Sequence, residues 1–117
     1  MPLPVYLTVE SEFASAHFLP GYEGKCKNMH GHLWKVIVEF GSYDTRDEVG
    51  IAVDFHELKD FVRDLCEELD HKLLNDILTQ PTAENIVEWF YRRLRPFTLS
   101  KIELWESPTS SCIWRAK

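Results

Sequence analysis

The chain has 117 residues, 44% of them hydrophobic and 27% charged, with 13 Lys and Arg against 19 Asp and Glu for a formal charge of -6. One compact domain over 1–117 is expected from that length, and an acidic balance without a basic block argues against nucleic acid as a partner. No apolar run approaches the roughly 18 residues that cross a bilayer, so no membrane partner is expected. The first residues hold no basic stretch followed by an apolar core, so no signal peptide is expected. Cys26, Cys66 and Cys112 are an odd number with no close pair, which suits a reducing cytoplasm better than a disulfide framework.

Val5, Leu7 and Val9 alternate with Tyr6, Thr8 and Glu10, a period of two that predicts a strand from about Val5 to Ala16. Pro20, Gly21 and Gly24 mark a loop, and a second strand follows from about Gly31 to Gly41. Its Trp34, Val36, Val38 and Phe40 share one face, while Leu33 and Ile37 share the other with Lys35 and Glu39. Both faces are partly apolar, one to meet helices of this chain and the other to meet a neighbouring subunit or a second layer. Phe55, Leu58, Val62, Leu65 and Leu69 then form a helical stripe, with Asp54 as the cap and Glu57 three residues on. A connector, His71 to Pro81, leads to a second helix from about Ala83 to Arg93, capped by Thr82 and stopped before Pro96. Two short strands, Leu99 to Glu106 and Ser110 to Arg115, close the chain. The order predicts an α+β fold, an antiparallel four-stranded sheet with two helices on one face. Its open edges invite association between subunits.

His30 and His32 lie two apart on a strand, so both imidazoles point the same way. His17 ends the strand that pairs with it, and three histidines with an open fourth position suit a catalytic zinc ion. Cys26, in the loop before His30, is either a fourth ligand or a free thiolate near a bound cation. Cys66, beside Leu65 in the first helix, reads as packing or inert surface, and Cys112 as structural. In Asp70-His71 a carboxylate stands beside an imidazole that it can orient, although neighbours in sequence need not face each other. Glu106 continues the apolar parity of Ile102 and Leu104, either as a rim residue or as a ligand anchor. The five glycines form no G-x-G-x-x-G, so no nucleotide cofactor is expected.

Six ordered motifs resemble those of the 6-pyruvoyltetrahydropterin synthase and 6-carboxytetrahydropterin synthase family. They are Phe13-Ala14-Ser15-Ala16-His17, Cys26-Lys27-Asn28-Met29-His30-Gly31-His32, Val53-Asp54-Phe55, Leu69-Asp70-His71 with Leu74-Asn75-Asp76, Pro81-Thr82-Ala83-Glu84-Asn85, and Trp105-Glu106-Ser107-Pro108-Thr109. The resemblance implies a T-fold, with sheets joined into a barrel by oligomerisation, commonly as a dimer of trimers, and with active sites at subunit interfaces. It implies His17, His30 and His32 as ligands of Zn2+ and Cys26, Asp70 and His71 as catalytic residues. It implies Glu106 as the pterin anchor, its two oxygens accepting from the ring N3 and the 2-amino group. Thr109 falls within the closing motif and counts among the substrate-binding residues. Lys25 and Lys27 are candidates for the triphosphate of a 7,8-dihydroneopterin triphosphate substrate, with arginines of a neighbouring subunit as further candidates. Two reactions diverge within the family: cleavage to 6-carboxytetrahydropterin with release of acetaldehyde and triphosphate, leading to queuosine and other deazapurines, or elimination of triphosphate to the pyruvoyl product. Lys25-Cys26, the compact length and the ending Ser111-Cys112-Ile113-Trp114-Arg115 resemble the carboxy branch. A non-catalytic zinc- or pterin-binding module is the alternative outside enzymes, and it has no need of Cys26, Asp70 and His71 together.

Overall fold

A computed structural model describes residues 2–24 and 28–117. The elements follow the order β1 Val5–His17, β2 His30–Tyr43, α1 Phe55–Leu69, a short 3-10 turn Leu74–Asp76, α2 Ala83–Arg93, β3 Leu99–Ser107 and β4 Ser110–Arg115. The four strands form one antiparallel sheet in the order β1-β2-β3-β4. Both long strands extend past the expected ends, β1 by one residue and β2 at each end, because their pairing continues to His17 opposite His30 and to Val5 opposite Tyr43.

Alternation along β2 sorts the two faces as expected. Trp34, Val36, Val38 and Phe40 are fully buried under the helices, whereas Leu33 on the opposite face is 60% exposed. Both helices lie on the Trp34 face. From α1 come Leu58, Val62, Leu65, Cys66 and Leu69, and from α2 come Ile86, Val87 and Phe90. The Asp54 carboxylate accepts from the His56 amide at 2.8 Å, and the Thr82 hydroxyl accepts from the Asn85 amide at 3.1 Å, so each helix starts on a side-chain cap.

Phe55 departs from the expected stripe, being 47% exposed. Side chains on a helix lean toward its amino terminus, so a residue in the first position projects past the helix end. Phe55 thus lines a surface cleft with Val5, Leu7 and Val53 instead of entering the core. Cys66 is packing: it is 2% exposed, and burial pushes its thiol up to about 11. Cys112 is half-buried on β4 opposite Leu104, and burial raises its thiol as well.

The connector after α1 is more ordered than a plain loop. His71 takes a left-handed backbone (φ 54°) that turns the chain back onto the free edge of β1. There the His71 amide donates to the Ala14 carbonyl at 2.6 Å and the Ala16 amide donates to the Lys72 carbonyl at 3.1 Å. Among the described residues no such backbone hydrogen bond covers the other end of that edge. The radius of gyration is 15.9 Å and the longest extent 54 Å. A compact domain of this length has a radius near 13–14 Å. The excess comes from two strands of 13 and 14 residues that run well past the helices.

Candidate active site

The three histidines stand where the core face of the sheet runs out. The register pairs His17 with His30 and Ser15 with His32, which places all three imidazoles on the helix-covered face beyond Phe13 and Trp34. Trp34 forms their floor, its ring centroid 5.1 Å from that of His17 and 5.4 Å from that of His32, both edge-on. One ligand nitrogen from each histidine lies within 4.8 Å of the others.

Their hydrogen bonds define what such a cluster binds. His17 Nδ1 lies 2.8 Å from the Pro81 carbonyl and His30 Nδ1 lies 2.7 Å from the Asn28 carbonyl. A carbonyl only accepts, so both Nδ1 atoms carry the hydrogen, and in the neutral imidazoles both Nε2 atoms present lone pairs. Those two Nε2 atoms face each other at 3.1 Å. Two lone pairs at that distance repel unless a cation or a shared proton sits with them. His32 Nε2 is buried without a hydrogen-bond partner among the described residues. The Glu106 carboxylate approaches it to 3.5 Å, near enough for charge attraction but outside hydrogen-bond geometry. Burial lowers the His32 pKa, against the opposing pull of Glu106 and with help from His30 and His17. The cluster therefore gathers three imidazole nitrogen donors around one point. That donor set, with carbonyl partners fixing the tautomers, fits a divalent transition metal.

Glu106 and His32 also line a cavity of about 670 Å³ with Glu12, Lys35, Trp105 and Pro108. That volume falls in the range of small-molecule sites. Glu106 therefore stands between the histidine cluster and a space large enough for a bicyclic ring. Thr109 lies in the exposed β3–β4 turn, where its hydroxyl is 3.3 Å from that of Ser107. The structure does not bring it into the cavity, whose nearest turn residues are Ser107 and Pro108.

Asp70 and His71 do face each other. Asp70 Oδ2 is 2.7 Å from His71 Nδ1, while Asp70 Oδ1 accepts from the Ala14 amide at 2.8 Å. Those two bonds, the amide first, hold the Asp70 carboxyl below the usual range. The His71 side chain is 83% exposed, with its ring held at Nδ1. A non-glycine residue with positive φ is strained, and here four backbone and side-chain bonds keep it in place. His71 shares an open cleft with His32, Ala14, Ala16 and Met29, and that cleft adjoins the cavity lined by Glu106 through Gly31, His32 and Leu33. Lys25, Cys26 and Lys27 lie outside the described residues.

Sequence reasoning did not single out Pro81 as the partner of His17. The contact is a backbone carbonyl, so no residue type advertises it. The amides of Asn75 and Asn85, present only as motif letters, hold the neighbouring backbone.

The four-stranded antiparallel sheet, with its open edge and two helices on one face, has the topology of the T-fold. A solved structure of 6-pyruvoyl tetrahydropterin synthase from Caenorhabditis elegans superposes with a TM-score of 0.82 over 99% of this chain and 98% of its own, at 22% identity. The family model for 6-pyruvoyl tetrahydropterin synthase matches residues 6–117, and the chain belongs to that family. Among curated proteins, 6-carboxy-5,6,7,8-tetrahydropterin synthase from Haemophilus influenzae is 30% identical over 91% of this chain and 95% of its own length. The protein of the same name from Synechocystis is 37% identical over 87% of this chain and 86% of its own.

Proposed function

We propose that the protein is a zinc-dependent 6-carboxy-5,6,7,8-tetrahydropterin synthase, converting 7,8-dihydroneopterin triphosphate to 6-carboxytetrahydropterin with release of acetaldehyde and triphosphate in queuosine and deazapurine biosynthesis. The observation that carries this reading is the convergence of three imidazole nitrogens within 4.8 Å beside a carboxylate on the rim of a 670 Å³ cavity. The identity to proteins of that name in Haemophilus influenzae and Synechocystis, over most of each chain, supports this branch.

In this reading His17, His30 and His32 would hold Zn2+, which would supply Lewis-acid polarisation of the oxygens on the substrate side chain. Glu106 receives the pterin edge, since a planar carboxylate matches two parallel N–H donors. Asp70 fixes the imidazole of His71 through Nδ1 and leaves Nε2 to exchange a proton with substrate. Cys26 supplies the thiolate that takes a side-chain proton. Lys25 and Lys27 neutralise the triphosphate, and Thr109, in the exposed β3–β4 turn, offers its hydroxyl to substrate. His71 and Glu106 line adjoining clefts that meet at His32, so both can serve one site. In this reading the protein is a homo-oligomer built on trimers, commonly a homohexamer, whose assembly would cover Leu33 and Ile113, exposed on the helix-free face. The reading places this single-domain lyase in the cytoplasm, without nucleic-acid or membrane partners. No described helix is long and apolar enough to cross a membrane.

The pyruvoyl product is the second reading, favoured by the description of the family model and by the Caenorhabditis elegans fold match. Product mass decides. Zinc-loaded protein is given 7,8-dihydroneopterin triphosphate, and the carboxy reading expects 6-carboxytetrahydropterin with equimolar acetaldehyde. A pyruvoyl product without acetaldehyde replaces it with the second reading, and unchanged substrate replaces both with a zinc- or pterin-binding module.

A further inference from the structure

The connector between the helices grips the segment that follows β1 at several points, and those points bracket one histidine. Asn75 acts as a false peptide toward Phe18: its Oδ1 accepts from the Phe18 amide at 3.0 Å and its Nδ2 donates to the Phe18 carbonyl at 2.9 Å. Phe18 is the residue after His17, so both polar groups of that backbone unit are tied down beside the ligand. On the other side, Asn85 Nδ2 donates to the Gln80 carbonyl at 2.8 Å, and the Thr82 amide donates to the same carbonyl at 2.9 Å. Gln80 Nε2 in turn donates to the Pro20 carbonyl at 2.9 Å. Between these clasps lies the bond from His17 Nδ1 to the Pro81 carbonyl, 2.8 Å long and buried.

We propose that Asn75 and Asn85 are positioning residues for the metal ligand His17. They hold the backbone on either side of the His17–Pro81 hydrogen bond, so that its imidazole stays in the tautomer that turns the Nε2 lone pair toward the ion. The inference rests on the metal-centre reading above and extends it to two side chains that touch neither metal nor substrate. A proline at 81 suits the role. It has no amide hydrogen to compete for the surroundings, and its fixed φ limits how the flanking carbonyls swing. Outer partners of a metal-bound imidazole typically set about 10- to 100-fold in metal affinity.

The test compares zinc affinity, by competition with a chromophoric chelator, in the full-length wild type, Asn75→Ala, Asn85→Ala and Asn75→Asp. Asn75→Asp keeps the acceptor for the Phe18 amide but sets a carboxylate against the Phe18 carbonyl. Val62→Ala, a cavity in the core on α1, serves as the control for loss of stability alone. Far-UV circular dichroism checks folding, and the visible band of the Co2+-substituted proteins reports the ligand field. The expected result is a zinc dissociation constant weaker by about 10- to 100-fold in Asn75→Ala and Asn85→Ala, with an altered Co2+ band, while Val62→Ala lowers the melting temperature and leaves affinity and band unchanged. Should Asn75→Ala not fold, Asn85→Ala and Asn75→Asp carry the same comparison. Affinities within about twofold of wild type in the folded variants overturn the positioning role, as does an equal loss in Val62→Ala. A wild type that binds no zinc overturns the metal-centre reading itself, and the proposal with it.

Discussion

Trp34→Phe tests the link between the core and the candidate metal centre. Trp34 is fully buried, stacks on Phe13 at 5.9 Å with the rings nearly parallel, and underlies His17 and His32. The smaller ring buries about 40 Å² less apolar area, which at about 25 cal/mol/Å² costs about 1 kcal/mol. A residual cavity of about 40 Å³ costs about 1 kcal/mol more. The indole N–H bond to the Ser15 carbonyl is 3.4 Å long, at the outer limit of a hydrogen bond. Its loss therefore adds only about 0.5 kcal/mol. The expected destabilisation is about 2–3 kcal/mol, a fall in melting temperature of about 6–12 °C for a chain of this size. The assay is urea unfolding followed by far-UV circular dichroism, which does not depend on the tryptophan removed. Metal-free protein at one fixed concentration keeps metal and subunit linkage constant. A loss below about 1 kcal/mol in a variant with a native spectrum would refute the claim that Trp34 is packed without slack against the histidine rings.

Replacing His30 or His32 with Ala should lower bound zinc from about one per chain to a small fraction, read by elemental analysis; full occupancy in both variants removes the three-histidine site. Cys26→Ala should keep zinc and pterin binding but slow single-turnover chemistry by about 100- to 10,000-fold, and zinc loss with unfolding would instead make Cys26 a structural ligand. Glu68 accepts two bonds from Arg93, at 2.8 and 2.5 Å, and the guanidinium lowers its pKa. A depressed carboxylate pKa adds stability above the unfolded value near 4.3, and that stability is lost as pH falls through the lower folded value. Because the pair is nearly half exposed, Glu68→Gln should cost only about 0.5–1 kcal/mol at pH 7. The deficit should vanish in acid; a gap that persists at low pH would mean Glu68 acts through packing. Cys66, with its thiol pushed up to about 11 by burial, should resist a thiol reagent at pH 8 in the native protein and react on unfolding. Rapid native labelling at that position would show the helix face opening.

Period and parity in the chain already determined much of this protein. Alternation in Val5–Val9 and Trp34–Phe40, the 3.6-residue stripe through Leu58 to Leu69, and polar caps at Asp54 and Thr82 are local signals, because side-chain direction follows directly from backbone period. The spacing of His30 and His32 was legible for the same reason. Phe55 escaped the stripe because period cannot report where a helix end overhangs the sheet. Pairing decided the rest. Only the β1–β2 register sets His17 against His30, and only the turn at His71 lays its loop along Ala14 and ties Asp70 to that strand. The partners that orient His17 come from Pro81, 64 positions away, through a backbone carbonyl that every residue possesses. A contact made by a group common to all residues leaves no mark on composition or spacing, so tertiary structure alone brings it to the site.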